Sequence, residues 1–67
     1  MKVESSHIDD VEWEDGKLLV TFKDGSVYEY SDVPIGVYQE LLGAESIGKF
    51  FYTEIRNRFD FTKRNED

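Results

Sequence analysis

The stretch KLLVTFKDG, Lys17 to Gly25, decides how this chain folds. Leu18, Val20 and Phe22 alternate with Leu19, Thr21 and Lys23, which is the period of a β-strand with one buried face. Asp15-Gly16 precedes the strand and Asp24-Gly25 follows it. Asp-Gly favours tight hairpin turns, because both residues tolerate the positive φ that such turns require. A strand with a turn at each end is the middle of a meander.

Side-chain parity then fixes the turns. A two-residue loop at Asp15-Gly16 sets Glu14 opposite Lys17, Trp13 opposite Leu18 and Val11 opposite Val20. This gathers the four apolar residues on one face and puts an opposite-charge pair beside the turn. At the second turn, a two-residue loop would send Tyr28 and Tyr30 to the face away from Val20 and Leu18. A three-residue loop, Lys23-Asp24-Gly25 with Gly25 left-handed, instead pairs Phe22 with Ser26, Val20 with Tyr28 and Leu18 with Tyr30. The second is favoured because it brings the tyrosines to the core face. Upstream, Ile8 stands three residues before Val11 and breaks the period of two. Either a bulge separates them or Ile8 belongs to a preceding turn.

Downstream, Pro34 is suited to the first position of a helix, where its missing N–H is not needed. Val37, Tyr38, Leu41 and Leu42 follow as a helical stripe, with Gly43 as a stop, so the first helix is expected over about 34–43. Ser46 can cap a second helix whose stripe is Ile47, Phe51, Ile55 and Phe59. Gly48 is a poor helix former, which implies close approach there by another backbone or a ligand. Phe59-Asp60-Phe61-Thr62 returns to period two, for a short final strand or an extended packed tail, and residues 63–67 read as a charged, frayed end.

Composition bounds the rest. A chain of 67 residues is one domain and buries only about 60% of its unfolded surface. An aromatic content of 15% helps so short a chain to sustain a core. There is no Cys to form disulfides or a thiolate metal site, which is compatible with the cytoplasm, the expected location. No apolar run approaches the roughly 20 residues of a membrane span, and the acidic start MKVESSHIDD does not read as a signal peptide. Residues 1–45 carry three cations and eleven anions (−8), and residues 46–67 carry five and four (+1), giving the net −7. That field opposes nucleic acid as a whole and leaves a local basic face in the C-terminal third.

The pattern as a whole resembles the KTSC domain, the family named after the C-terminal extension of certain lysyl-tRNA synthetases. The resemblance is carried by Val3, Ser5-Ser6 and Ile8, by Leu18-x-Val20-x-Phe22-x-x-Gly25-x-x-Tyr28-x-Tyr30, and by Val33-Pro34, Tyr38 and Leu41. It continues through Ala44-x-Ser46-x-Gly48-x-Phe50-Phe51 and Ile55-Arg56. It spans residues 3 to about 61. Family members often carry Tyr at the position of Trp13, and Asn where this chain has Tyr52. The resemblance implies a stand-alone bacterial or phage member, specifies no reaction, and hints at proximity to tRNA only by association.

Ser5, Ser6, Ser46, Gly48 and Arg56 form the most suggestive polar set, because Ser46 and Gly48 open a helix where an anion is favoured. Arg56 lies about two and a half turns on and reaches that end only if the second helix curls toward another element. The bland alternative is a cap, a packing glycine and an ion pair. Tyr28, Tyr30, Tyr38, Tyr52 and Phe50 could stack bases or anchor a partner, with core or rim packing as the default for a small aromatic-rich domain. His7 lacks the companion ligands of a structural zinc site. Ser5, Ser6 and His7 are neighbours in sequence, and on a strand neighbours point to opposite faces, which argues against a nucleophile–base pair. A chain this small also struggles to enclose a pocket of several hundred Å³.

The expected fold is therefore α+β: a three-stranded antiparallel meander with two short helices on one face and a short C-terminal strand as an option. Trp13, Val20, Phe22, Tyr28, Leu41, Phe51 and Ile55 are the expected core. The expected function is a non-catalytic interaction module without a cofactor or metal, binding a protein in preference to nucleic acid, with Ser5, Ser6, Tyr28, Tyr30, Ser46, Gly48 and Arg56 as candidate binding residues. The alternatives are an RNA-associated accessory module and an acidic mimic of nucleic acid. The oligomeric state is not set by the sequence.

Overall fold

A computed structural model describes residues 1–64 of the chain. Strands β1 (Ile8–Glu14), β2 (Lys17–Phe22) and β3 (Val27–Tyr30) form the expected meander. The first turn has Asp15 at φ 51° and Gly16 at φ 82°, the two positive values of a type I′ hairpin. Its register is the one parity demands, with Glu14 facing Lys17, Trp13 facing Leu18 and Val11 facing Val20. The second turn closes on Gly25 at φ 94°, with Phe22 N–H donating to Ser26 O at 2.8 Å. Val20 then faces Tyr28, and Leu18 faces Tyr30. The irregularity between Ile8 and Asp10 is a shift in strand register, so the bulge reading is correct.

The optional strand is real. β4 (Phe61–Arg64) pairs antiparallel with β3, and the sheet order is β1-β2-β3-β4. Lys63 and Arg64, expected to fray, are thus strand residues, while residues 65–67 lie outside the described part. At the opposite edge the first residues run beside β1, with Val11 N–H donating to Met1 O at 2.9 Å and Val3 N–H to Asp9 O at 3.3 Å.

α1 (Ile35–Gly43) begins one residue after Pro34. It ends at Gly43 as expected, and Ala44 caps it in an extended conformation, with its N–H turned back to Leu41 O. α2 (Ile47–Phe50) is capped by Ser46, whose hydroxyl accepts from Lys49 N–H at 3.2 Å. It then widens into a π-helical turn over Phe51–Ile55, closed by Arg56 N–H donating to Phe51 O at 2.9 Å. Nothing in the residue spacing signals that turn.

The core consists of Ile8, Val11, Leu18, Val20, Tyr30, Val33, Leu41, Phe51 and Ile55. Four expected members are among them. Trp13, Phe22 and Tyr28 are corrections, because they are only partly buried and pack against that cluster from its margin. Trp13 sits at the margin because its indole N–H donates to Val33 O at 2.8 Å, while Val33 N–H donates to Gly16 O at 2.8 Å. These two bonds tie the link between β3 and α1 to the first hairpin. Trp13→Phe keeps most of the ring but leaves the Val33 carbonyl without its donor, so denaturant melts should show a loss of about 1–3 kcal/mol.

Candidate functional site

An open cleft of about 1050 Å³ lies between the sheet and the start of the second helix. All seven candidate residues, Ser5, Ser6, Tyr28, Tyr30, Ser46, Gly48 and Arg56, line it. The fold joins three remote segments there: the turn before β1, strand β3, and the second helix.

Several of these residues are already engaged. Ser5 Oγ accepts from His7 N–H at 3.2 Å and Ile8 N–H at 3.3 Å, which closes the turn into β1. A Cβ on Gly48 would lie 3.3 Å from the same oxygen. The close approach inferred at Gly48 is therefore that of a side chain, and not of another backbone. Ser46 spends its hydroxyl on the helix cap. Ser6 Oγ and His7 Nδ1 are 3.0 Å apart, so these sequence neighbours do meet, because residues 6 and 7 form a bend and not a strand. Among the described residues, no carboxylate bonds the other ring nitrogen of His7 to orient it as a base. Where a nucleophilic pair would have such a third group, this site has none.

Aromatic rings make the floor. Tyr30 packs edge-on against Phe51, with centroids 5.5 Å apart, and Phe22 does the same at 5.5 Å. Phe61 leans on Tyr28 at 5.4 Å and on Tyr30 at 5.5 Å. Phe61 is 52% exposed and Tyr52 58% exposed, and both line the cleft. Tyr52 is among the aromatic candidates from the sequence, and Phe61 is not. Phe61 could be placed only through its pairing with Tyr30, and that partnership joins residues 31 apart with no local signal.

Arg56 closes the π-helical turn with its N–H on Phe51 O; its side chain is exposed, whereas Ile55, four residues after Phe51, is buried in the core with it. The Arg56 guanidinium lies 4.7 Å from the centroid of Tyr52, a cation–π distance. Its charge is also felt at Tyr30, whose phenol is pushed up by burial and by neighbouring Tyr28, with Arg56 opposing. Arg56 lines the same cleft as Ser46 and Gly48. Arg58, by contrast, pairs with Glu54 at 2.8 Å on the outer side. Asp24, at the rim, is held below the usual carboxylate range by the Ser26 hydroxyl and N–H.

Burial also raises the phenol of Tyr38, aided by Glu12 and Asp10. For Tyr30 and Tyr38 alike the folded value lies above the unfolded one, near 10. Their contribution to stability is thus complete below that pH and lost as pH rises through the folded values. An ultraviolet titration should show Tyr30 and Tyr38 ionising late, in step with alkaline unfolding. Either of these two phenols titrating at its ordinary value in the folded chain would contradict the burial.

Among the described residues, no helix is long and apolar enough to cross a membrane.

The chain matches the model of the KTSC domain over residues 4–59. A lysine–tRNA ligase of Trichormus variabilis is 38% identical over 63 residues, 91% of this chain and 11% of the ligase. One from a Nostoc species is 41% identical over 44 residues, 66% of this chain and 8% of the ligase. The chain therefore spans only about a tenth of the length of these curated relatives. The crystal structure of a KTSC domain protein from Yersinia pestis matches with a TM-score of 0.89 at 31% identity, covering 97% of this chain and 94% of that one. With the meander, the two helices and the matched span in agreement, the chain belongs to the KTSC domain family.

Proposed function

We propose that this KTSC domain is a non-catalytic module that binds a segment of a partner protein in the aromatic cleft. The observation that carries this reading is the pair of exposed rings, Phe61 and Tyr52, bordering a cleft of about 1050 Å³ whose remaining aromatics are packed. Exposed aromatics beside a preformed concavity are the common anchors of protein interfaces. The hydroxyls of Ser5 and Ser46 serve the fold, which leaves the rings and Arg56 as the groups free to meet a ligand. The acidic excess favours protein over nucleic acid, and the cytoplasm remains the proposed location.

The test is affinity capture with the chain and with a Tyr52→Ser/Phe61→Ser double variant, whose folding is checked by its melting curve. Partners held by the parent and lost by the variant support the reading. Equal capture by both overturns it.

A second reading, an RNA-associated accessory module, is favoured by one specific observation: the matched relatives are lysine–tRNA ligases. Single-strand binders combine stacking rings with a positive groove, and Lys49 and Arg56 line this cleft. Titration with tRNA at two salt concentrations decides, since phosphate contacts make affinity fall steeply with salt. An acidic mimic is the least supported reading: on β1, Asp9 is paired with Lys2 at 3.2 Å, so the acidic stretch is not a free anionic surface.

A further inference from the structure

The two edges of the sheet are unlike. Residues 1–3 run along β1, whereas among the described residues β4 has a neighbour on one side only, and all of its residues are exposed. Ser31 N–H donates to Asp60 O at 2.9 Å, so these facing residues are a hydrogen-bonded pair. Such pairs alternate with open ones along an antiparallel ladder. Thr62 and Arg64 therefore spend their N–H and C=O groups on β3, and those of Phe61 and Lys63 point away from the sheet.

Identical strands that meet antiparallel are related by a two-fold axis. The registers in which outward groups meet outward groups are centred on Phe61, Thr62 or Lys63. Centred on Lys63, lysine faces lysine, which is unfavourable. Centred on Phe61, Lys63 faces Phe59, whose N–H is already spent on Ile55 O at 3.3 Å. Centred on Thr62, every outward group is used, because each Phe61 exchanges both main-chain bonds with the partner's Lys63.

Charge agrees with the Thr62 register. Arg64, which pairs with Glu29 at 2.9 Å, comes opposite the partner's Asp60, and its five N–H donors can serve both carboxylates. Lys63 lies 5.8 Å from the centroid of Tyr28, with Asp24 in its field, and comes beside the exposed ring of the partner's Phe61. The two Lys63 are diagonal neighbours, about 7–8 Å apart at Cα, and no like charges face each other. A lysine on an edge strand ordinarily keeps copies apart; this register seats it beside a ring.

We propose that β4 pairs with β4 of a second copy about an axis through Thr62, joining the two sheets edge to edge. Both clefts then open on the same side, and the partner's Lys63 joins Phe61 in the lining of each. The inference concerns the sheet edge and does not rest on the protein-binding reading of the cleft.

The experiment uses the full, isotope-labelled chain with no other protein present. The contact is small, so half of the chain should be paired only at about 0.1–1 mM. Across that range sedimentation should show the mass rising toward double. The amides of Phe61 and Lys63 should exchange more slowly, and those of Thr62 and Arg64 should not change. Lys63→Pro removes an N–H that β3 does not use, and should weaken pairing about tenfold or more while leaving the fold intact. Asp60→Lys sets cations face to face and should weaken it about two- to fivefold. Cysteine substitution reads the register, since the chain has no cysteine of its own. Facing residues of an open pair lie about 4.5 Å apart at Cα, within reach of a disulfide, and diagonal ones do not. Mild oxidation should thus link the Thr62→Cys variant about tenfold faster than the Lys63→Cys variant.

Self-pairing is overturned if the chain is still monomeric at about 2 mM, or if the two cysteine variants link at the same rate. It is equally overturned if the Phe61 and Lys63 amides slow only when a different protein is added, which would give the edge to that protein. None of these results touches the cleft reading, which falls only on partner capture.

Discussion

Phe51→Ala should lower stability by about 3–5 kcal/mol, the usual range for deleting a buried phenyl ring. A domain of 67 residues is stable by only about 3–10 kcal/mol, so the variant should be largely unfolded or close to it. The expectation rests on where the ring sits. Phe51 is 4% exposed, packs edge-on against both Phe22 and Tyr30, and opens the π-helical turn whose first carbonyl accepts from Arg56. Its loss therefore removes the joint between helix and sheet and the support beneath the cleft together. Chemical denaturation followed by circular dichroism reads the effect as a fall in midpoint. A nearly unchanged melt would mean that the helix does not depend on the sheet.

Leu41→Ala is the second large effect, at about 2–5 kcal/mol. Leu41 is fully buried and is the one buried residue of α1, with Val37, Tyr38 and Leu42 packed against the core from partly buried positions. It does not line the cleft, so whatever folded fraction remains should bind as the parent does. Phe51→Ala should lose stability and binding together, which separates the two roles. Ile35→Ala on the same helix is the control: Ile35 is 49% exposed, and such a change should stay within about 0.5 kcal/mol. Equal losses at 35 and 41 would contradict the orientation of α1.

What the sequence determined by itself is the meander and its register. Alternation has a period of two, so moving a turn by one residue inverts every side chain, and only one choice of loops put Val11, Leu18, Val20 and Tyr30 on one face. The Ser46 cap was legible for a similar reason, because the hydroxyl and the N–H it meets are three residues apart. The candidate site was legible as a set of residues but not as a place. Ser5, Tyr28, Ser46 and Arg56 meet in one cleft because the turn before β1, strand β3 and the second helix pack together, and β4 adds Phe61 to its lining. These meetings have no local cause: the pairing of Tyr30 with Phe61, for one, is decided by packing between distant segments. Short-range periodicity set the strands and the cap, whereas packing between distant segments set the fourth strand, the marginal position of Trp13 and the cleft itself.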